Sequence, residues 1–170
     1  ISGLIFFFQN SDNFSQNSTT IAGGLYNPVI LKRFSEVWNA KEQLHIADIF
    51  YRALEVKLNC KLDYKLPIYR KFFSVEEQNN WFSASDKPNL SPFLSTDIVH
   101  KKYNAIDSPF GYGEVLQTGY VDTKYLLRIY QSYLQSLNQL VEEGFDYDLL
   151  NIYEDYLEYK NYKAKHIVFT

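Results

Sequence analysis

Apolar and polar residues alternate along the chain with a period that changes from segment to segment. Residues 3–9, "GLIFFFQ", form an unbroken apolar run ending at polar residues. That is the pattern of a parallel strand covered on both faces. The stretch "NSDNFSQNS" that follows is built of turn formers and reads as a loop. "TTIAGGL" then predicts a short helix or turn, with Ser18 or Thr19 as its cap. Pro28 ends any helix there, because the residue before a proline is pushed out of the α region. From about residue 35 to residue 59 the period is helical. Leu44, Ala47, Tyr51, Leu54 and Leu58 recur at spacings of three and four, while Lys41, Glu42, Arg52 and Glu55 fall largely on other faces.

Beyond this helix, "KLDYKLPIYRKFF" reads as one or two strands, and "SVEEQNNWFSAS" as a helix opened by a capping box of Ser74 and Glu77. Residues 86–113, rich in Pro, Ser, Asn and Gly, predict loops and short strands. "VDTKYLLRIYQSYLQSLN" is the clearest helix, capped by Asp122 and carrying Leu126, Tyr130, Tyr133 and Leu137 as one stripe. Strands are expected over about 140–142, 148–153, 156–160 and 164–169, with Asn161 in a turn.

This order suggests an α/β fold in which two sections, residues 1–34 and 117–170, belong to one open sheet. Residues 35–116 would form a mixed α+β layer inserted between them. The chain starts at Ile1 on a strand-like run, stops on another, and contains no methionine. It is therefore expected to be a central piece of a longer protein.

Composition narrows the function. Apolar residues make up 46% and charged residues 22%, which suits a folded chain rather than a disordered one. The formal charge of −3 supplies no basic field for nucleic acid. The 15 Tyr and 13 Phe suit half-buried sheet surfaces. One cysteine, Cys60, excludes an internal disulfide framework and fits a reducing compartment. "LIFFF" is too short to span a membrane, so a cytoplasmic protein is expected.

The segments "STTIAGGL", "TGYVDTKYLL" and "AKHIVFT", in that order, resemble the FAD-dependent D-amino-acid oxidase and glycine oxidase superfamily. The resemblance is closest to bacterial FAD-dependent oxidoreductases carrying "AGGLYNPVVLKRF". It implies a Rossmann-like FAD-binding domain, incomplete here, interrupted by an α+β substrate domain with a mixed sheet. The G-x-G-x-x-G turn of that family is absent, as expected if the first βα unit lies upstream of Ile1. The activity implied is oxidation of a small amine or amino-acid-like substrate by hydride transfer to the flavin.

Residue by residue, the resemblance assigns flavin contacts to Gly23, Gly24 and Leu25. In the family, backbone N–H groups at a helix start approach the pyrophosphate at that point, and glycine removes the Cβ that would hold an anion off. An ordinary close packing contact is the plain alternative. Ser18 and Thr19 are implied phosphate partners, or simply helix caps. Gln9 and Asn10 fall where the family grips the ribose hydroxyls with an acid; both are neutral here, and Asp12 is the nearest substitute. Leu149 matches a position whose backbone meets the adenine, and equally suits a buried strand.

Other motifs carry less. Asp122 reads as a helix cap before a catalytic carboxylate, and "FGYG" at residues 110–113 as a turn. His45, His100 and His166 lack ligand spacing, so no metal is expected. No G-x-S-x-G elbow is present, and no histidine lies near Cys60 in sequence. Tyr69, Arg70 and Arg33 are the residue types that recognise substrate carboxylates, but surface charge explains the arginines as well. The rival to the flavoenzyme is a non-enzymatic α+β interaction module whose glycine pair serves packing alone.

Overall fold

The computed structural model describes residues 6–8, 18–100 and 103–169, with β1 at residues 6–8 described as backbone only. In chain order the elements are β1 (Phe6–Phe8), α1 (Ser18–Ile21), β2 (Leu25–Tyr26), β3 (Val29–Ile30), β4 (Ser35–Glu36), α2 (Ala40–Leu58), β5 (Asp63–Lys65) and β6 (Ile68–Lys71). They continue with α3 (Val75–Ser85), β7 (Leu94–Val99), β8 (Tyr112–Val115), β9 (Gly119–Val121), α4 (Thr123–Ser136), β10 (Leu140–Glu142), β11 (Leu150–Ile152), β12 (Leu157–Tyr159) and β13 (Tyr162–Ala164). The fold is mixed α/β, with small and mostly antiparallel sheets among the described residues. By packing, the chain divides into two compact units, residues 18–130 and residues 131–170 with the N-terminal segment.

The unit of residues 18–130 holds three sheets, ordered β2-β9-β5, β3-β4 and β6-β8-β7, all antiparallel. Its core gathers Val29, Ala40, Phe72, Trp81, Ala84, Leu90, Phe93, Leu94 and Val115. Trp81 anchors it. The ring is wholly buried, its Nε1–H donates to the Ser95 carbonyl at 2.8 Å, and Phe72 meets it edge to face. Gly113 is required under that ring, since a Cβ there would collide with the indole.

In the other unit β10 pairs in parallel with β1, the direction expected for residues 3–9. β11, β12 and β13 form an antiparallel meander, turned at Lys160 and Asn161. Phe145 stacks on Tyr159 at 4.4 Å, whose hydroxyl accepts the Asp146 N–H.

Several elements differ from the sequence pattern. The long helix begins at Ala40 rather than near residue 35, because Ser35–Glu36 pair with Val29–Ile30 and Asn39 sits in the left-handed region before the first turn. Ser18 and Thr19 lie inside α1 instead of capping it. The strand expected over 148–153 starts as a 3-10 turn, Tyr147–Leu149, because the Asp146 carboxylate accepts the Asp148 N–H and curls the backbone. The last strand falls at Tyr162–Ala164, where Tyr162 can pair with Tyr159; residues 165–169 are not in a strand.

Two caps follow the expectation. Ser74 Oγ accepts the Glu77 N–H at 3.2 Å, while Glu77 returns to the Phe73 N–H at 2.7 Å, one residue earlier than the usual box. Asp122 accepts the Tyr125 N–H at 2.9 Å and thereby starts α4. No helix of the described residues is long and apolar enough to cross a membrane.

Candidate functional site

The glycine pair opens the site. Gly23 and Gly24 follow α1 and lead into β2, so they stand after a helix rather than at its start, and the helix-start argument for anion binding does not apply to them. Their needs for glycine differ. Gly24 has φ +63°, a Cβ there would collide with the Val121 carbonyl oxygen, and its own carbonyl accepts the Val121 N–H at 3.0 Å. The group that approaches Gly24 is thus the backbone of β9. At Gly23 nothing lies within 4 Å of where a Cβ would stand, and the residue is exposed.

Beyond the pair, the sheet β2-β9-β5 assembles a set of polar side chains. Strand register puts Tyr26, Gly119 and Lys65 in one row across it. Asp63, two residues before Lys65, falls on the same face, because side chains alternate along a strand. The centre of the row is bare glycine, and a Cβ at Gly119 would collide with the Tyr26 hydroxyl and the Tyr64 carbonyl. Through that gap the Tyr26 hydroxyl donates to Asp63 Oδ1 at 2.7 Å. Lys65 Nζ reaches Asp63 Oδ2 at 2.7 Å and Asp48 Oδ1, on α2, at 3.3 Å. Tyr64 and Tyr120 stack on the opposite face at 5.0 Å.

The position of Asp63 is set from α2. That helix ends with Asn59 in the left-handed region, and Glu55 Oε1 accepts the N–H groups of Leu62 and Asp63 at 2.7 and 2.9 Å. Burial by itself would raise the Glu55 carboxyl, but these two amides and Lys61 outweigh it and hold it below its ordinary value. The same carboxylate, after burial, helps push up the Cys60 thiol, which disfavours its thiolate.

A cavity of about 380 Å³ lies between this sheet face and α2. Val37, Leu44, Ala47 and Val121 supply apolar wall, Tyr26 and Tyr51 supply phenols, and Gly24 and Leu25 lie at its edge. Among the described residues its charged lining is Asp48, Asp63 and Lys65, and Asp48 Oδ2 is also paired with Arg52 Nε at 3.0 Å. Burial alone would lower the Lys65 pKa, but its bonds to Asp63 and Tyr26 overcome this and raise it above the ordinary 10.5. Lys65 is therefore a fixed cation at neutral pH. Burial raises the Tyr26 phenol too, only partly opposed by Lys65, so it stays protonated. Neither group can act as a general base near pH 7.

Of the residues singled out from sequence, Gly24 and Leu25 line this cavity. Ser18 and Thr19 are exposed on α1, and Leu25 is 72% exposed. Leu149 is exposed in the 3-10 turn of the other packing unit. Gln9, Asn10 and Asp12 lie outside the described residues. Arg70 is engaged with Glu77 at 3.1 Å, and the Tyr69 hydroxyl is 3.4 Å from Glu114. Tyr26, Asp48, Asp63 and Lys65 were not singled out; the available signal was the Asp-x-Lys spacing in "KLDYK", which puts both charges on one strand face.

Among the described residues no group of three or more His, Cys, Asp or Glu is placed to hold a metal ion. No family model matches the chain, and no solved structure matches it significantly.

Proposed function

We propose that this chain is part of an FAD-dependent oxidoreductase of the D-amino-acid oxidase and glycine oxidase type, acting on a small amine or amino-acid-like substrate. The segments "AGGLYNP", "GYVDTKYLL" and "AKHIVFT" support the family; the observation that carries the site is Gly23. Its backbone is exposed, with open space where a side chain would stand, beside the rim of the cavity. Bare backbone facing open space leaves room for a phosphate to approach it.

In this reading Gly23, with Ser18 and Thr19, holds the cofactor, and the substrate occupies the cavity against α2. Bound FAD would supply the hydride acceptor for oxidation at the carbon bearing nitrogen. The chain's own residues bind and orient. Lys65 and Tyr26 both keep their protons, which suits hydride chemistry that asks for no acid–base pair in the protein. Val37, Leu44 and Val121 give the substrate an apolar wall.

The experiment is flavin content of the intact protein. A yellow preparation, absorbing near 450 nm as oxidised flavins do, whose flavin is lost in Gly23→Ala without loss of apoprotein stability, supports the reading. A colourless, stable protein that takes up no added FAD refutes it. One observation favours the second reading, a non-enzymatic interaction module: the glycine requirement at Gly24 is fully met by the Val121 carbonyl.

A further inference from the structure

We infer that the outward face of α2 is a homodimer interface, on which a second copy of this chain packs its own α2 antiparallel. Ile46, Ile49, Phe50, Ala53 and Val56 recur at spacings of three and four, so they form one stripe along the helix. The inward side is a different one, where Ala40, Leu44, Ala47 and Tyr51 line the cavity. The stripe is open to solvent, with Ile46 58%, Ile49 56%, Phe50 55% and Val56 83% exposed. Large apolar side chains in one continuous row differ from the scattered hydrophobic residues of an ordinary surface.

The ends of the stripe indicate what covers it. Glu42, one turn before Ile46, and Lys57, one turn after Ala53, fall on the same face and are exposed. The Glu42 carboxylate accepts the Asn39 side-chain amide, a neutral partner that leaves its charge in place. A lipid surface would have to take that carboxylate in line with the apolar row. An identical helix laid antiparallel instead sets Glu42 against Lys57 of the second copy at both ends, whereas a parallel one would oppose like charges. Arg52 lies to one side and is held by Asp48 at 3.0 Å, so the pair adds no net charge to the rim.

The same two-fold suits the apolar residues. With Glu42 opposite Lys57, Ile46 falls opposite Ala53 and Ile49 opposite Phe50, so a large residue meets a small one on either side of a bulky centre. Such an interface is isologous, each copy offering the same patch, and the opposed helix dipoles favour it. From Glu42 to Lys57 the stripe is about 22 Å long, at roughly 1.5 Å per residue. One helix face of that length falls short of the roughly 800 Å² per partner of a standard interface, so the dimer is weak and depends on concentration. The surface lies outside the cavity and stands or falls apart from the flavin reading.

Sedimentation equilibrium of the intact protein at low salt, over about 1 to 300 µM, tests the inference. A reversible monomer–dimer equilibrium is expected. Ile49→Glu, which sets two carboxylates at the centre of the interface, is expected to weaken it by at least about 100-fold. Glu42→Lys or Lys57→Glu alone should weaken it by about 3- to 10-fold, because each change spoils two exposed ion pairs. The double reversal, Glu42→Lys with Lys57→Glu, should restore it. A monomer at every concentration, a dimer untouched by Ile49→Glu, or single reversals without effect overturns the inference. So does a monomer that co-sediments with phosphatidylcholine or phosphatidylserine vesicles, which would assign the face to lipid. If Ile49→Glu fails to fold, the charge-reversal series, confined to the exposed ends of the stripe, decides alone.

Discussion

Replacing Gly24 by alanine puts a methyl group where the Val121 carbonyl lies, at a backbone φ of +63°. Two costs add. A non-glycine residue held in the left-handed region loses roughly 1–2 kcal/mol. Forcing β2 and β9 apart to admit the methyl costs about 1–3 kcal/mol more, and strains the bond from the Val121 N–H to the Gly24 carbonyl at 3.0 Å. Against this, alanine stiffens the unfolded chain by about 0.4–1 kcal/mol. The net loss is about 1–5 kcal/mol, a fall in Tm of roughly 2–20 °C for a chain of this size. Gly23→Ala is the internal control. Its φ is not positive and no atom lies within 4 Å of the new methyl, so stability is unchanged or rises by up to about 1 kcal/mol. Urea unfolding followed by tryptophan fluorescence measures both, since Trp38 and Trp81 lie in the same packing unit as the glycines. A Gly24→Ala protein within about 0.5 kcal/mol of the parent, or a Gly23→Ala protein equally destabilised, refutes this account of the pair.

Two further outcomes follow from the same contacts. Because the Glu55 carboxyl is held below its ordinary value of 4.5, its stabilising effect is fully present above that pH and is lost as pH falls through the folded-state value. Glu55→Gln is therefore expected to flatten the acid limb of a stability–pH profile below about pH 4.5; an unchanged limb would show that the Leu62 and Asp63 amides do not depend on the charge. Trp81→Ala removes the centre of the core and its bond to the Ser95 carbonyl, and should cost about 3–5 kcal/mol in urea unfolding followed by circular dichroism. A loss under about 1 kcal/mol would mean the core does not rest on that ring.

The sequence by itself determined what is settled within a few residues. The Ser74–Glu77 cap, the Asp122 cap of α4 and the turn at Asn161 are all short-range, so their partners stand in the same stretch of text. The start of α2 was not legible, because Ser35–Glu36 take their partners from β3 and not from the helix they adjoin. For the same reason the glycine pair could not be resolved: only the fold shows that Gly24 faces the β9 backbone while Gly23 faces open space. The cavity is the extreme case. Tyr26, Asp63 and Lys65 meet only because strand register lines them up across Gly119, and Asp48 joins them from a helix held over the sheet. Charge and aromaticity are written in each residue, but which charge neutralises which is decided by tertiary pairing, where electrostatic energies depend on distances that no local pattern encodes.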